Sequence, residues 1–344
     1  MKILQDLNLK ELEDLFLSLG EKPFRAKQVF FALSNGLKIS EISNISKSLR
    51  EKLIGIYADN PAEIIRRLVS EDGTEKYLIR LIDGNVVEGV YMKNDYGNTE
   101  CLSTQVGCRM GCRFCASGIG GLVRNLTAGE MLATVAAVNR LGGGDTKKRA
   151  VTNIVLMGSG EPLDNYDNVI RFLRLVSDKN GLNVSLRNIS LSTCGLADKI
   201  YKLAEEGLPV NLTVSLHQPF DERRKTLMPV ANAYSVSEIL KACDYYFSKT
   251  GRRYIFEYTL VKGENDGRDC IDELTRILSR RPCHINVIRL NEVKENGLKG
   301  SGEKAAYAFC DKLVKNGLSA TVRRLNGADI EGACGQLRRD FIKE

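Results

Sequence analysis

The chain has 344 residues, 43% of them apolar, and a formal net charge of +7. A chain of that length buries a core without covalent staples, so its ten cysteines are not needed for stability. No apolar run reaches the roughly 18 residues of a membrane helix, and "MKILQDLNLKELEDL" lacks the basic-then-apolar order of a secretory leader; the expectation is a cytoplasmic protein with reduced thiols and no membrane attachment.

Residues 1–70 read as a small helical domain. "NLKELEDLFLSLG", "KPFRAKQVFFALSNG" and "SKSLREKLIGIY" each place apolar residues at helical spacing, and the first two end on glycine. The Lys and Arg residues of this segment fit a solvated surface and an RNA-gripping face equally well. Over 71–100 the period changes to two: "EKYLIRLI" and "VVEGVYM" read as strands joined by "DGN", a hairpin linking two domains.

From about residue 101 strands and helices alternate. "NIVLM", "NISLST", "VNLTVSLH", "RYIFEYTLV" and "INVIRL" are each followed by an amphipathic segment, and "SATVRRL" closes the series. Six or so βα units in succession mean a parallel sheet, open and doubly wound or curled into a partial or full barrel. In either form chemistry gathers at the C-terminal ends of the strands.

One stretch does not fit an ordinary α/β protein. "CLSTQVGCRMGCRFCASG" holds Cys101 and then Cys108, Cys112 and Cys115 as C-x3-C-x2-C. Thiolates that close together can converge on one metal centre. A structural zinc site takes four protein ligands, and the two histidines, His217 and His284, lie far off in the chain. A [4Fe-4S] cube held by three cysteines keeps one iron open for a small molecule.

The motif at the head of a βα series resembles the radical S-adenosylmethionine superfamily. The set "GCRMGCRFCASGIGGLVRNLTAGE", "MGSGEP", "LSTCG", "NLTVSLHQP", "ERRKTLMPV" and "GADIEGACGQL", in this order along nearly the whole chain, resembles the RlmN family of adenine-C2 RNA methyltransferases. Some positions depart from the family pattern. Ser159 stands where methionine is common, Ser117 replaces threonine, and the proline usual after Asn291 is absent.

The resemblance implies a radical S-adenosylmethionine α/β fold: a partial (βα)6 TIM-like barrel with a C-terminal catalytic loop over 101–344, an RNA-binding helical domain over 1–70 and a linking β-hairpin over 71–100. It implies that Cys108, Cys112 and Cys115 hold the cluster. It also implies that Gly160, Glu161, Ser192, Ser215, Leu216, His217 and Asn291 contact S-adenosylmethionine. Read alone, Gly160 is a loop glycine, Ser192 a strand-end cap and His217 a histidine packed at the sheet edge. Two S-adenosylmethionine molecules serve each turnover. One methylates Cys334, and the other yields the 5'-deoxyadenosyl radical that activates the S-methyl group for addition to C2. Cys101 then releases the protein–RNA adduct by forming a disulfide with Cys334. Glu88 matches a family glutamate proposed as proton acceptor or as partner of the adenine edge; read alone it is a solvent-facing strand residue. Cys194, Cys243, Cys270, Cys283 and Cys310 read as small apolar fillers.

The implied substrates are adenine 2503 of 23S ribosomal RNA and adenosine 37 of transfer RNAs, with an external electron donor such as flavodoxin and a monomeric enzyme. The nearest rival is a Cfr-type enzyme methylating C8 of the same adenosine; a more distant one is a non-catalytic iron-sulfur or zinc RNA-binding protein.

Overall fold

Three helices, α1 (Leu9–Ser18), α2 (Pro23–Ser34) and α3 (Lys47–Ile54), open the chain in the computed structural model, which describes residues 1–337. Asn8 and Glu11 cap α1 reciprocally, Pro23 starts α2, and the Ser46 side chain accepts from the Leu49 N–H to start α3. Their apolar faces bury Leu12, Phe16, Val29, Phe30, Leu49 and Leu53 in one core with the rest of the molecule. Each such side chain contributes about 1.5–3 kcal/mol when taken out of water.

The next segment corrects the sequence reading. Residues 62–69, inside the stretch read as helical, form a strand, β1 (Ala62–Val69). Pro61 disfavours helix in the residue before it, and the run is rich in β-branched residues. Strand β1 pairs antiparallel with β2 (Glu75–Leu81), with an irregularity between Ile64 and Arg66, and β2 pairs antiparallel with β3 (Val86–Met92). The expected turn joins β2 to β3, with Gly84 at φ 83° and the Asp83 carboxylate accepting from the Asn85 N–H at 3.1 Å. These strands are not a free-standing linker, because β3 pairs antiparallel with β4 (Thr99–Cys101), which pairs parallel with β7 (Asn153–Leu156). One sheet thus runs through both parts of the chain.

Between β4 and β7 a separate two-stranded sheet, β5 (Gln105–Gly107) with β6 (Leu122–Asn125), clamps the two ends of the cysteine loop. Helix α4 (Ala128–Leu141) follows, started by a capping box of Thr127 and Glu130. The main sheet continues in parallel through β8 (Ile189–Thr193), β9 (Asn211–Ser215), β10 (Tyr254–Leu260), β11 (Cys283–Arg289) and β12 (Ala320–Val322). Helices α5 (Tyr166–Val176), α6 (Ala197–Glu205), α7 (Asp221–Leu227), α8 (Val236–Thr250), α9 (Arg268–Leu278) and α10 (Glu303–Lys315) lie between these strands in sequence. Seven parallel strands, β4 and β7 to β12, form the barrel wall. No pairing joins β12 back to β1 among the described residues, so the barrel is partial. No helix among them is long and apolar enough to cross a membrane.

Candidate active site

The C-terminal ends of the parallel strands open into a cavity of about 900 Å³. Ten of the thirteen residues singled out from sequence line it: Cys108, Cys112 and Cys115, then Gly160, Glu161, Ser192, Ser215, His217, Asn291 and Cys334. The other three are Leu216, Cys101 and Glu88.

The cysteine loop is held from two sides. The Arg113 N–H donates to the Leu227 carbonyl at 2.9 Å, and Met110, Cys112 and Phe114 pack on Leu227 and Met228, which gives the "ERRKTLMPV" stretch a structural use. On the other side Ala116 N–H donates to the Gly335 carbonyl at 2.7 Å and the Ser117 hydroxyl to the Leu337 carbonyl at 2.8 Å. Burial pushes the Cys108 thiol up to about 12 and raises those of Cys112 and Cys115, with the other thiols of the loop adding to the rise at Cys112. No three His, Cys, Asp or Glu side chains among the described residues converge as on a single ion. A zinc ion, with its ligands near 2.3 Å, needs that convergence. The three thiols all line this cavity, and a three-cysteine donor set of this kind would hold an iron-sulfur cluster.

Gly160 follows β7 at φ 106°, where a Cβ would lie 2.6 Å from the Gln105 Cβ. Only glycine lets the backbone pass there. The Glu161 N–H donates to the Gln105 side-chain oxygen at 2.8 Å, and the Glu161 carboxylate accepts from the backbone N–H of Cys194 (2.7 Å) and of Leu163 (3.0 Å). Burial raises the Glu161 carboxyl, and those backbone donors oppose the rise. Cys194, read as a filler, lines the cavity and supplies one of the donors.

His217 is buried in the left-handed conformation, φ 56°. Its Nδ1 accepts from the Thr259 N–H at 2.9 Å, which leaves the proton on Nε2, and its ring meets the edge of Phe114 at 4.6 Å. Burial, with help from Arg224, holds it down to about 3, so it is neutral at physiological pH. Leu216 is fully buried beneath the cavity and acts through its carbonyl, which accepts from Arg224 Nε at 3.0 Å. Arg224 also donates to the carbonyls of Cys194 (2.7 Å) and Ser215 (3.0 Å), so one buried guanidinium ties the ends of β8 and β9 together. Sequence reading passed over Arg224. The motif contains it, but nothing in one sequence separates a buried arginine from its exposed neighbour Arg223.

Cys101 lies outside the first cavity, in the wall of a second one of about 580 Å³. Cys334, Asn291, Met157 and Arg323 line both. Burial raises the Cys101 thiol, with Cys334 adding to the rise and Arg323 opposing it. All ten cysteines are free, so the disulfide the resemblance implies for turnover is not formed here. Asn291 does more than line the cavities: its amide donates to the Cys334 carbonyl at 2.9 Å and holds the C-terminal loop in place. That loop is pinned further back, where Lys76 donates to the Glu331 carbonyl at 3.1 Å and the Gly327 N–H to Asp72 at 3.0 Å.

Glu88 lines neither cavity. It is not solvent-facing: its carboxylate pairs with Lys76 at 2.6 Å, both side chains being out of water. Glu257, also missed from sequence, lines the first cavity with Oε1 bound to Asn286 (3.1 Å) and 3.5 Å from Arg323, while its buried Oε2 has no hydrogen-bond partner among the described residues.

Two family models match the chain: one described as the radical SAM superfamily over residues 102–274, the other as the ribosomal RNA large subunit methyltransferase N-terminal domain over residues 3–58. A probable dual-specificity RNA methyltransferase RlmN of Clostridium perfringens is 51% identical over all of this chain and 98% of its own length. Its counterpart in Clostridium novyi is 47% identical, again over all of this chain and 99% of its own length. A crystal structure of a radical SAM methyltransferase from Sphaerobacter thermophilus superposes with a TM-score of 0.95 at 39% identity, covering 99% of this chain and 100% of that one.

Proposed function

This chain belongs to the RlmN family of radical S-adenosylmethionine enzymes, and we propose that it is an RNA methyltransferase acting on C2 of adenine 2503 in 23S ribosomal RNA and of adenosine 37 in transfer RNAs. The observation that carries the reading is the position of Cys334. It stands in the wall shared by two cavities, with the three candidate cluster ligands on one side and Cys101 on the other.

In this reading Cys108, Cys112 and Cys115 hold a [4Fe-4S] cluster, which with S-adenosylmethionine supplies a one-electron route to a carbon radical. The residues of the chain do the rest. Glu161, Ser192, Ser215 and neutral His217 orient the sulfonium cofactor. A neutral imidazole with Nε2–H facing the cavity can donate a hydrogen bond without repelling that cation. Cys334 carries the methyl group as a thioether, a thiolate being the best nucleophile available there. Arg323 stands beside both Cys334 and Cys101, and its guanidinium opposes the rise that burial imposes on the Cys101 thiol. Once the methylene carbon on Cys334 is joined to C2, the adduct gives up the C2 proton and passes its odd electron to the redox centre that the three thiols would hold. The Cys101 thiolate then attacks the Cys334 sulfur; an S–S bond forms and the C–S bond electrons stay on the methylene carbon. That carbon takes up a proton to become the methyl group, and an external reductant later reduces the disulfide. Two S-adenosylmethionine molecules per turnover, an external reductant such as flavodoxin, a cytoplasmic location and a monomeric enzyme belong to the same reading. The helical segment 1–70 grips RNA in it, and the strands after it bridge to the barrel.

The test compares three variants expressed in cells that supply RNA. Cys101→Ala should carry covalently bound RNA through denaturing purification, Cys334→Ala should carry none, and the double variant should carry none. Nuclease digestion and intact-protein mass spectrometry read the adduct. RNA-free Cys101→Ala protein would refute the resolving role, and recovery of 8-methyladenosine in place of 2-methyladenosine would move the reading to the C8 chemistry.

A further inference from the structure

At the opposite end of the barrel, the N-terminal ends of the strands border a cleft of about 880 Å³. Thr99, Asn153 and Asn211, the first residues of β4, β7 and β9, line it, as do Arg187 and Asn188 just before β8. So do Arg323 and Arg324, just after β12. Among the described residues none that lines it is acidic, and Asp95, which lies between two of them in sequence, is not part of the lining. Arg187 and Arg324 are exposed and make no ion pair among the described residues. Tyr96, on the rim, is 83% exposed.

This cleft adjoins the interior cavities. Met92, Arg323, Arg324 and Asn326 line both it and the cavity holding Cys101 and Cys334, and that cavity in turn shares Cys334, Asn291 and Arg323 with the cavity at the barrel mouth. The three hollows are therefore neighbours along the barrel, with the candidate cluster ligands lining the first and the guanidinium groups of Arg187 and Arg324 lining the last.

We propose that this cleft is the seat of a single-stranded RNA segment flanking the target base, which enters the Cys334 cavity from the N-terminal end of the barrel; the proposal rests on the RNA methyltransferase reading above. The chemistry of the lining is that of a single-strand site. Arginines without carboxylate partners bind phosphates, an exposed tyrosine offers a face for base stacking, and amide side chains such as those of Asn94 and Asn153 can meet base edges. The mouth of the barrel is taken up by cluster and cofactor in that reading, so the base needs another approach. An acidic protein surface, that of a reductant for example, would also be drawn to arginines. It would gain nothing from seating beside the Cys334 cavity while the cluster ligands line the hollow beyond it.

The test uses full-length protein carrying its cluster and a short unstructured RNA containing the target adenosine, with affinity measured by fluorescence anisotropy across a salt series. Removing two phosphate contacts in Arg187→Ala/Arg324→Ala should lower the slope of log affinity against log salt by about 1.4. Tyr96→Ala should weaken binding by roughly five- to a hundredfold. Position 96 is exposed, so that variant keeps the fold if the double variant does not. Arg268→Ala/Arg276→Ala removes the same charge from α9 and should leave affinity and slope near wild type. Lysine at 187 and 324 should restore the slope. Equal affinity and slope in the cleft and α9 variants would overturn the proposal, as would a cleft variant whose RNA binding is intact while its reduction by an acidic flavoprotein slows. Methylation by the wild-type protein is scored in the same preparations. If it is absent the activity itself falls, whereas methylating wild type with unaffected cleft variants removes only the cleft.

Discussion

Replacing Glu88 by leucine should destabilise the protein severely, and replacing Lys76 by methionine in the same chain should restore most of what is lost. The two side chains are 1% and 0% exposed and meet at 2.6 Å between adjacent strands. An ammonium left in that position without its carboxylate has no water to solvate it, and breaking such a pair from one side costs about 3–5 kcal/mol. In a chain this long each kcal/mol moves the melting temperature by about 2–4 °C, so Glu88→Leu should melt roughly 6–20 °C below wild type. Exchanging both partners for apolar residues of similar volume is typically neutral to within a few kcal/mol. Here the Glu331 carbonyl also loses its Lys76 donor, at a cost of about 1 kcal/mol. Differential scanning calorimetry of the single and double variants measures both steps. A Glu88→Leu protein that melts with wild type would refute the claim that the pair is a buried ion pair. The same variants separate structure from chemistry at Glu88. A double variant that melts like wild type and still methylates RNA makes the glutamate structural, and one that melts like wild type but is inactive returns it to the proton-accepting role that the resemblance implies.

Each of Cys108→Ala, Cys112→Ala and Cys115→Ala should fold and lose its iron after anaerobic reconstitution, and iron retained at wild-type stoichiometry in any of them would count against that residue as a ligand. Gly160→Ala forces a Cβ to 2.6 Å from Gln105 in a left-handed backbone; the strain alone is worth about 1–3 kcal/mol, and S-adenosylmethionine affinity, read by equilibrium dialysis, should fall at least tenfold. His217 titrates at about 3 in the folded chain and near 6.5 when unfolded. Between those values the unfolded state binds a proton the folded state does not, so this group's stabilisation is complete above pH 6.5 and declines as pH falls, by about 1.4 kcal/mol per unit. Urea unfolding from pH 7 to 4 should therefore show a shallower loss for His217→Gln, and parallel curves would contradict a buried neutral imidazole.

The parts of this site readable from sequence were those where chemistry dictates residue type at fixed spacing. C-x3-C-x2-C is such a case; Gly160 and Ser192 were legible as cofactor contacts only through the resemblance, since βα alternation alone makes them a loop glycine and a strand-end cap. What escaped depends on contacts between distant segments. The burial of Glu88 follows from β2 and β3 bringing it beside Lys76, which alternation along one strand does not reveal. Arg224 and Glu257 look like surface charges until the ends of β8, β9 and β10 are brought together around them. Residues 62–69 fall inside the stretch that reads as helical from its three quoted segments, and the pairing that makes them a strand is with β2. Asn291 was expected against the cofactor, and its amide is found on the backbone of the residue proposed to carry the methyl group.

The division into two cavities bears on the order of events. Cys334 faces both, whereas Cys101 faces only the one farther from the candidate cluster ligands. A methyl group delivered from the mouth side can thus reach Cys334 without passing Cys101, and an adduct on Cys334 projecting away from the mouth comes up against Cys101. Premature disulfide formation is opposed by burial, which holds the Cys101 thiol protonated; a protonated thiol is a poor nucleophile. Arg323, which lines both cavities and the basic cleft, is a cation that opposes that bias. In the proposed reading RNA phosphates compete for its guanidinium, which already lies 3.5 Å from the Glu257 carboxylate, and so weaken its pull on the Cys101 thiolate. Access of RNA and the nucleophilicity of Cys101 are coupled through the same side chain, and a conservative Arg323→Lys change, which keeps the charge but loses the fork, should slow release of the adduct more than its formation.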